Sequence, residues 1–420
     1  MAGKTTTENY YIWIIMFAAM SLIPWAAIPM DMAWGSAKAM GRIINISAIS
    51  AFLYIFALSK SLRYLRGAGE RSLMIAGALF LAFASLRTSQ AEVPWIISYT
   101  GLFSILGAGG AAMSAYALTR DGHDLTHNFI KWTVIFTLPI LLLPFLVQMT
   151  VDTMDPRRLY LDVYGLGNIR AAGHFTAIGI ALLAPFALIS RRMGAKAVVA
   201  TGLVILLWAT LFWSGSRAGL AALVPGLILA LMFSRQRVKA IASNIALGAA
   251  GAALSTLYFI PGKGFGLIER IGQAGNQVSN ASGASEALSS VSSGRVDIWA
   301  WALETILEKP FFGWGYGSMI EIPGAPYYYH THNIVLEYAL AFGIPVALAV
   351  FALLGWLTLK ALRNLARDPS AHMLAMAGTI LVLPIYSLLS GVLINPYQLI
   401  IYLSALAISV VPRKGDAASF

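Results

Sequence analysis

The sequence predicts an all-α, polytopic membrane protein with about twelve transmembrane helices. Two properties of its composition lead there first. Of its 420 residues, 58% are hydrophobic and only 11% are charged, and the mean hydropathy is +0.73. A soluble domain carries roughly 25% charged residues. A chain this apolar needs lipid as the solvent for much of its surface. The third observation is the placement of Lys and Arg, which sit in short clusters between apolar stretches, as topology signals do.

The elements follow in chain order. A span needs about 20 mostly apolar residues. Such stretches occur near 11–30, 44–60, 72–87, 93–118, 129–150, 174–190, 197–213, 218–234, 240–261, 333–357, 373–393 and 396–412. The shorter ones fit by tilt or by local thinning of the bilayer. The N-terminal MAGKTTTENY has no evident cleavage site after its apolar run, so the first stretch is expected to be a retained span. With the N-terminus inside, every inner loop receives basic residues. They are Lys4; Lys60 to Arg71; Arg120 and Lys131; Arg191 to Lys196; Arg235 to Lys239; Lys360 to Arg367; and Arg413 with Lys414. Both termini are then cytoplasmic.

The whole chain, 1–420, reads as a single transmembrane domain. Two outer segments are long, about 151–173 and 262–332, the latter inserted between the ninth and tenth helices. Within it GQAGNQVSNASGASEALSSVSSG (272–294) has the composition of a mobile loop. The next stretch, SSGRVDIWAWALETILEKP, predicts an amphipathic helix. Ser292 or Ser293 would cap it, Pro310 would stop it, and Ile298, Ala302 and Ile306 would form its apolar stripe. Such a helix lies on the membrane surface or packs on the bundle.

The net charge of +11 does not indicate nucleic-acid binding, because its basic residues are spent on topology. The absence of cysteine excludes disulfides and a thiol nucleophile. No HExxH, P-loop or GxSxG motif occurs, and the outer segments lack a DxD or a clustered acidic and histidine set. Asp31 is a lone carboxylate after the first span. No cofactor and no metal site is therefore expected.

The informative residues are the outer charges. Arg217, in FWSGSRAGL, offers a planar fork to phosphate oxygens beside small residues and a helix start; its alternative is a snorkelling arginine. Arg295 opens the amphipathic helix, where a cation opposes the macrodipole. Anion binding explains it, as would a surface pair with Asp297. His332, in YYYHTHNIVLEYALAFGIP, sits where a general base can work near neutral pH. Glu337 stands five residues on to orient it, and His330 competes for the role. The alternative is an interfacial histidine beside Tyr327, Tyr328 and Tyr329. Arg170, with His174 four residues later, completes the set; Arg157 and Arg158 are weaker, having Asp152, Asp155 and Asp162 as neighbours. Arginines and a histidine at a lipid–water boundary suit displacement of a lipid-linked pyrophosphate. The cations stabilise the leaving group, and the base takes a proton from an acceptor hydroxyl. A rival class, a lipid-linked glycan transporter, would be expected to carry ionisable residues near span centres. Glu337 is the main one here and lies near an end.

The ordered set RAAGHF (170–175), SGSRAG (214–219), SGRVDIWAWALETILEKPFFGWGYG (293–317) and HTHNIVLEYALAFGIP (330–345) resembles the O-antigen ligase/polymerase superfamily. The resemblance covers about 170–345 and implies a GT-C-type membrane glycosyltransferase. In the ligase branch, O-antigen polysaccharide passes from undecaprenyl pyrophosphate to a lipid A–core hydroxyl on the periplasmic face of the bacterial inner membrane. The family's chemistry is metal-independent and inverting. Its essential arginines correspond to Arg217 and Arg295, with Arg170 as a further match, and its histidine before Asn to His332 rather than His330. The 262–332 segment would then be a periplasmic loop. The arginine–ten residues–glycine spacing of many polymerases is absent, since Ile306 and Ala281 stand at that offset from Arg295 and Arg270. The closing PRKGDAASF is expected on the inside, unlike the large outer C-terminal region usual in protein-glycosylating relatives, so the ligase branch is favoured, with polymerase next.

Overall fold

The computed structural model describes residues 68–89, 95–150, 172–189, 194–258, 266–281, 283–320, 322–326 and 330–412. The expected spans at 11–30 and 44–60 lie outside these residues. So do Arg170, Asp31, Tyr327 to Tyr329, and nearly all of the first long outer segment.

The described residues are all helical, with no strand. In chain order the α-helices are α1 (Ala68–Ser89), α2 (Trp95–Arg120), α3 (Thr126–Thr137), α4 (Leu143–Thr150), α5 (Ala172–Ile189), α6 (Ala195–Trp213), α7 (Arg217–Leu231) and α8 (Arg237–Ser255). They continue with α9 (Leu267–Ser279), α10 (Ala284–Ser292), α11 (Arg295–Glu308), α12 (Ile334–Phe342), α13 (Ile344–Arg367), α14 (Ala371–Ser390) and α15 (Pro396–Ser409). Among the described residues, 5 helical stretches are long and apolar enough to cross a membrane. They are Thr126–Gln148, which joins α3 to α4 through a 3-10 turn, and α6, α8, α13 and α14. Helices α5, α7 and α15 are equally apolar but shorter.

The bundle is centred on α5, α7 and α14. Helix α14 packs on both α5 and α7, α6 packs on α5 and α8, and α15 packs on α2. Small residues set these distances, as expected where no aqueous hydrophobic effect drives helices together. A Cβ on Gly226 of α7 would lie 2.9 Å from the Val382 backbone of α14, so the two helices meet there without room for a side chain. Helix α14 is largely buried, whereas α13 turns Leu348, Leu353, Trp356 and Leu359 outward. Outward apolar side chains on a helix of this length are where lipid belongs.

The structure corrects two expectations. The single span expected over 333–357 is two helices broken at Gly343. Gly343 has φ +86°, and a Cβ there would collide with the Phe311 carbonyl. The Ile344 amide, which has no partner within its own first turn, donates to the Pro310 carbonyl at 2.7 Å. The Trp314 and Gly315 amides donate to the Leu340 and Ala341 carbonyls at 2.8 and 2.9 Å. The FFGWGYG turn thus takes up the hydrogen bonds that a continuous helix would have made. Arg87, at the end of α1, fixes this turn by donating from Nη2 to the Gly313 carbonyl at 2.7 Å.

The second correction concerns 272–294. Composition suggested a mobile loop, yet α9 and α10 occupy most of it. Leu267, Ile271, Ala274 and Val278 recur at helical spacing in α9. That periodicity outweighs the Gly, Ser and Asn content. Helix α11 forms as expected and packs on α12 with Ile298, Ala302 and Ile306 buried, while Leu303 and Leu307 stay exposed. Ser292 does accept the Val296 amide at 3.3 Å, but the N-cap residue is Gly294.

Candidate functional site

Five helix ends converge on one cavity. Helix α5 begins there with His174, α6 ends and α7 begins there through Gly215–Ala218, α14 ends there at Ser390, and α15 begins there after Asn395. The cavity has a volume of about 690 Å³, and its lining includes Arg217, Arg295, His174, His330 and His332. Of the residues singled out in the sequence, these five meet in space although 158 positions separate the first from the last.

Arg217 is the first residue of α7. Ser216 caps that helix, its Oγ accepting the Gly219 amide at 3.3 Å. The same Oγ lies 2.7 Å from the Tyr386 hydroxyl of α14. Gly173 and Gly219 sit against this pair; a Cβ on Gly219 would lie 2.9 Å from both oxygens. The start of α7 is therefore held in a cramped, fully bonded corner. From it the Arg217 Nη2 donates to the Ser293 hydroxyl.

Arg295 is placed by a backbone reversal. Ser293 and Gly294 both have left-handed backbones, with φ of 59° and 76°. They turn the chain between α10 and α11, so that the first residue of α11 faces the cavity. Asp297, the alternative partner for Arg295 in the sequence, accepts a hydrogen bond from Ser289.

The histidine turn is built by residues around it. Thr331 is fully buried. Its amide donates to the Glu337 carboxylate at 2.8 Å, its hydroxyl donates to the Asn333 carbonyl at 2.8 Å, and its carbonyl accepts the Trp299 indole N–H at 3.0 Å. Asn333 caps α12, its Oδ1 accepting the Val335 and Leu336 amides at 2.9 and 3.3 Å. Between these anchors His332 takes φ 56°, a conformation that L side chains rarely adopt. Its amide donates to Nδ1 of His330 at 3.1 Å, and the two rings meet edge-to-face at 4.1 Å. Burial, and then the positive charge of Arg295, hold the His330 imidazole down to about 4 from its usual 6.5. His330 is thus neutral near pH 7, with Nδ1 committed as an acceptor. His174 packs the edge of its ring on Tyr386 at 5.0 Å. Glu337 does not line the cavity; it supports the histidine turn from behind.

Sequence reasoning missed Ser216, Tyr386 and the inner face of α9, where Ile271, Ala274 and Val278 line the cavity. Trp299 and Asn333 stood inside the motifs that carry the resemblance, four residues after Arg295 and next to His332, but without a role of their own. Each carried a signal: Asn333 precedes an apolar helix in the usual capping position, and Trp299 follows Arg295 by one helical turn. Tyr386 gave only a phenol inside an apolar span. Among the described residues, no three His, Asp or Glu side chains gather as a metal-ligand set.

The family model described as O-antigen ligase matches residues 202–351, a segment that contains Arg217, Arg295, His330, His332 and Glu337. This agrees with the resemblance drawn from the motifs and supports a membrane glycosyltransferase of the ligase or polymerase kind. No curated protein matches the chain.

Proposed function

We propose that this protein is an O-antigen ligase that moves the glycan of undecaprenyl pyrophosphate to a hydroxyl of lipid A–core. It would work in the bacterial inner membrane with about twelve spans, both termini in the cytoplasm and the cavity facing the periplasm. The 262–332 segment would form the periplasmic loop. One observation carries the reading: two arginines and three histidines from four separate parts of the chain face a single cavity at the helix ends.

The chemistry follows from the residues. Arg217 and Arg295 bind the pyrophosphate, with Arg170 as a third cation. Guanidinium groups suit this role because they stay charged and match two phosphate oxygens at once. His332 takes the proton of the acceptor hydroxyl. The freed oxygen attacks the anomeric carbon, and the bond from that carbon to the pyrophosphate oxygen breaks. The electron pair leaves with the pyrophosphate, whose growing charge the arginines stabilise. His332 is favoured over His330 because His330 Nδ1 already accepts the His332 amide. Glu337 acts as a positioning residue through Thr331.

The test is a reconstitution in lipid nanodiscs with purified donor and lipid A–core. A product carrying one whole glycan per lipid A–core is expected. Longer glycan still on the carrier would make the protein a polymerase instead. Full transfer by His332→Ala, or parent-like donor binding by both Arg217→Ala and Arg295→Ala, would remove the assignment of those residues. Equal activity with chelator present is expected for metal-independent transfer.

A further inference from the structure

A second cavity, of about 570 Å³, adjoins the first and shares Arg217, Ser293 and Ala274 with it. Its character differs. It is lined by the carboxamides of Gln273, Gln277 and Asn280, with Glu286 and the Ser289 hydroxyl opposite. Helix α9 forms the partition between the two. Ile271, Ala274 and Val278 are spaced by three and four residues and share one face, which lines the first cavity. Gln273, Gln277 and Asn280 follow the same spacing on the neighbouring face and line the second. The division is a consequence of the amphipathic sequence of one thirteen-residue helix.

We propose that this polar groove is the sugar-chain subsite of the lipid-linked donor, holding the rings next to the pyrophosphate. The inference rests on the reading of the Arg217 cavity as the pyrophosphate site. Three features argue for carbohydrate. A carboxamide both donates and accepts hydrogen bonds, as each sugar hydroxyl does, and three of them line one groove. Among the described residues of the lining, Arg217 is the one cation and stands at the boundary shared with the first cavity, so they do not form a site for a second phosphate. Its volume lies within the roughly 300–1,000 Å³ of small-ligand sites. The shared Arg217 also sets the order along the ligand: phosphate at the boundary, sugar on the carboxamide side. The neighbouring apolar face of α9 presents aliphatic carbon to the first cavity, which lowers the local dielectric where arginine meets pyrophosphate.

The experiment measures affinity of the full-length protein in nanodiscs for two probes, bare undecaprenyl pyrophosphate and the same carrier bearing an oligosaccharide. The parent is expected to prefer the glycan-bearing carrier. The double variant Gln273→Leu, Gln277→Leu is expected to lose about tenfold of that preference, as removal of a few hydrogen bonds of ordinary strength implies. The ratio of the two affinities is unaffected by partial misfolding, which lowers both alike. An unchanged ratio in the double variant, or a parent that binds both probes equally, overturns the proposal. Failure of the parent to bind even the bare carrier is a different pattern; it removes the pyrophosphate reading and the groove assignment with it.

Discussion

The cavity has two unlike walls. The inner wall consists of the start of α7, the end of α14 and the histidine turn. There Thr331 and Tyr386 are 0% exposed, and hydrogen bonds join Ser216 to Tyr386 and Trp299 and Glu337 to Thr331, the first two of them linking distant parts of the chain. The outer wall consists of α9 and α10. There Ile271 and Val291 are 56% and 55% exposed although they face a cavity. Helix α9 is tied to the bundle at its start, where the Gly266 amide donates to the Trp213 carbonyl at 2.8 Å. The difference teaches where accuracy is needed. Groups that move a proton or hold a leaving group must keep their geometry to a fraction of an ångström. A wall that receives a long and variable substrate gains from having fewer fixed bonds.

The largest expected effects belong to the inner wall. His332→Ala should lower glycan transfer by about 10²–10⁴-fold, the usual worth of a general base, while donor affinity stays near the parent value. Turnover and binding measured separately check this, and a loss confined to binding would break the contrast. Gly343→Ala should destabilise the protein by about 1–3 kcal/mol, because a Cβ at φ +86° meets the Phe311 carbonyl. Its melting temperature in detergent is the readout. Trp299→Phe removes the donor to the Thr331 carbonyl and should cost about 1 kcal/mol of stability. Because the histidine turn is displaced, kcat should fall while the KM for donor holds.

A smaller effect is tied to pH. The His330 value of about 4 lies below the ordinary 6.5, so its neutral form is favoured in the folded state. That stabilising contribution is complete above about pH 6.5 and is lost as pH falls through about 4. Thermal stability should therefore decline across this window. His330→Asn, which can still accept the His332 amide without titrating, should decline less. The smallest effect is expected on the outer wall, where Val291→Ala removes a side chain that is already largely exposed and should shift stability by less than about 0.5 kcal/mol. A large shift there would show the two walls to be equally fixed.

The apolar periodicity of α6 and α14 gave their positions to within a few residues, because long apolar runs leave few alternatives. The break at Gly343 was hidden, since its cause is the FFGWGYG turn, which is adjacent in space rather than in sequence. Arg217, Arg295 and His332 stood out because a charge or an imidazole beside an apolar span needs a reason to be there. Tyr386 and Gly391 did not, because a phenol or glycine in a span has many ordinary uses. Only the fold brings Gly391 against the ring of His330 and the backbone of His332, where a Cβ would lie 3.3 Å from His330 Nδ1.

The left-handed backbone of His332 separates two requirements that most active-site positions combine. The turn asks for a residue that tolerates φ 56°, while the proposed reaction asks for an imidazole. Asparagine and glycine meet the first and not the second. Alanine meets neither, so its loss of activity mixes backbone strain with missing chemistry. His332→Asn is the cleaner substitution, and on the proposed mechanism it is expected to give a practical tool: a folded, inert protein that loads its donor and holds it, fit for trapping the glycolipid before transfer.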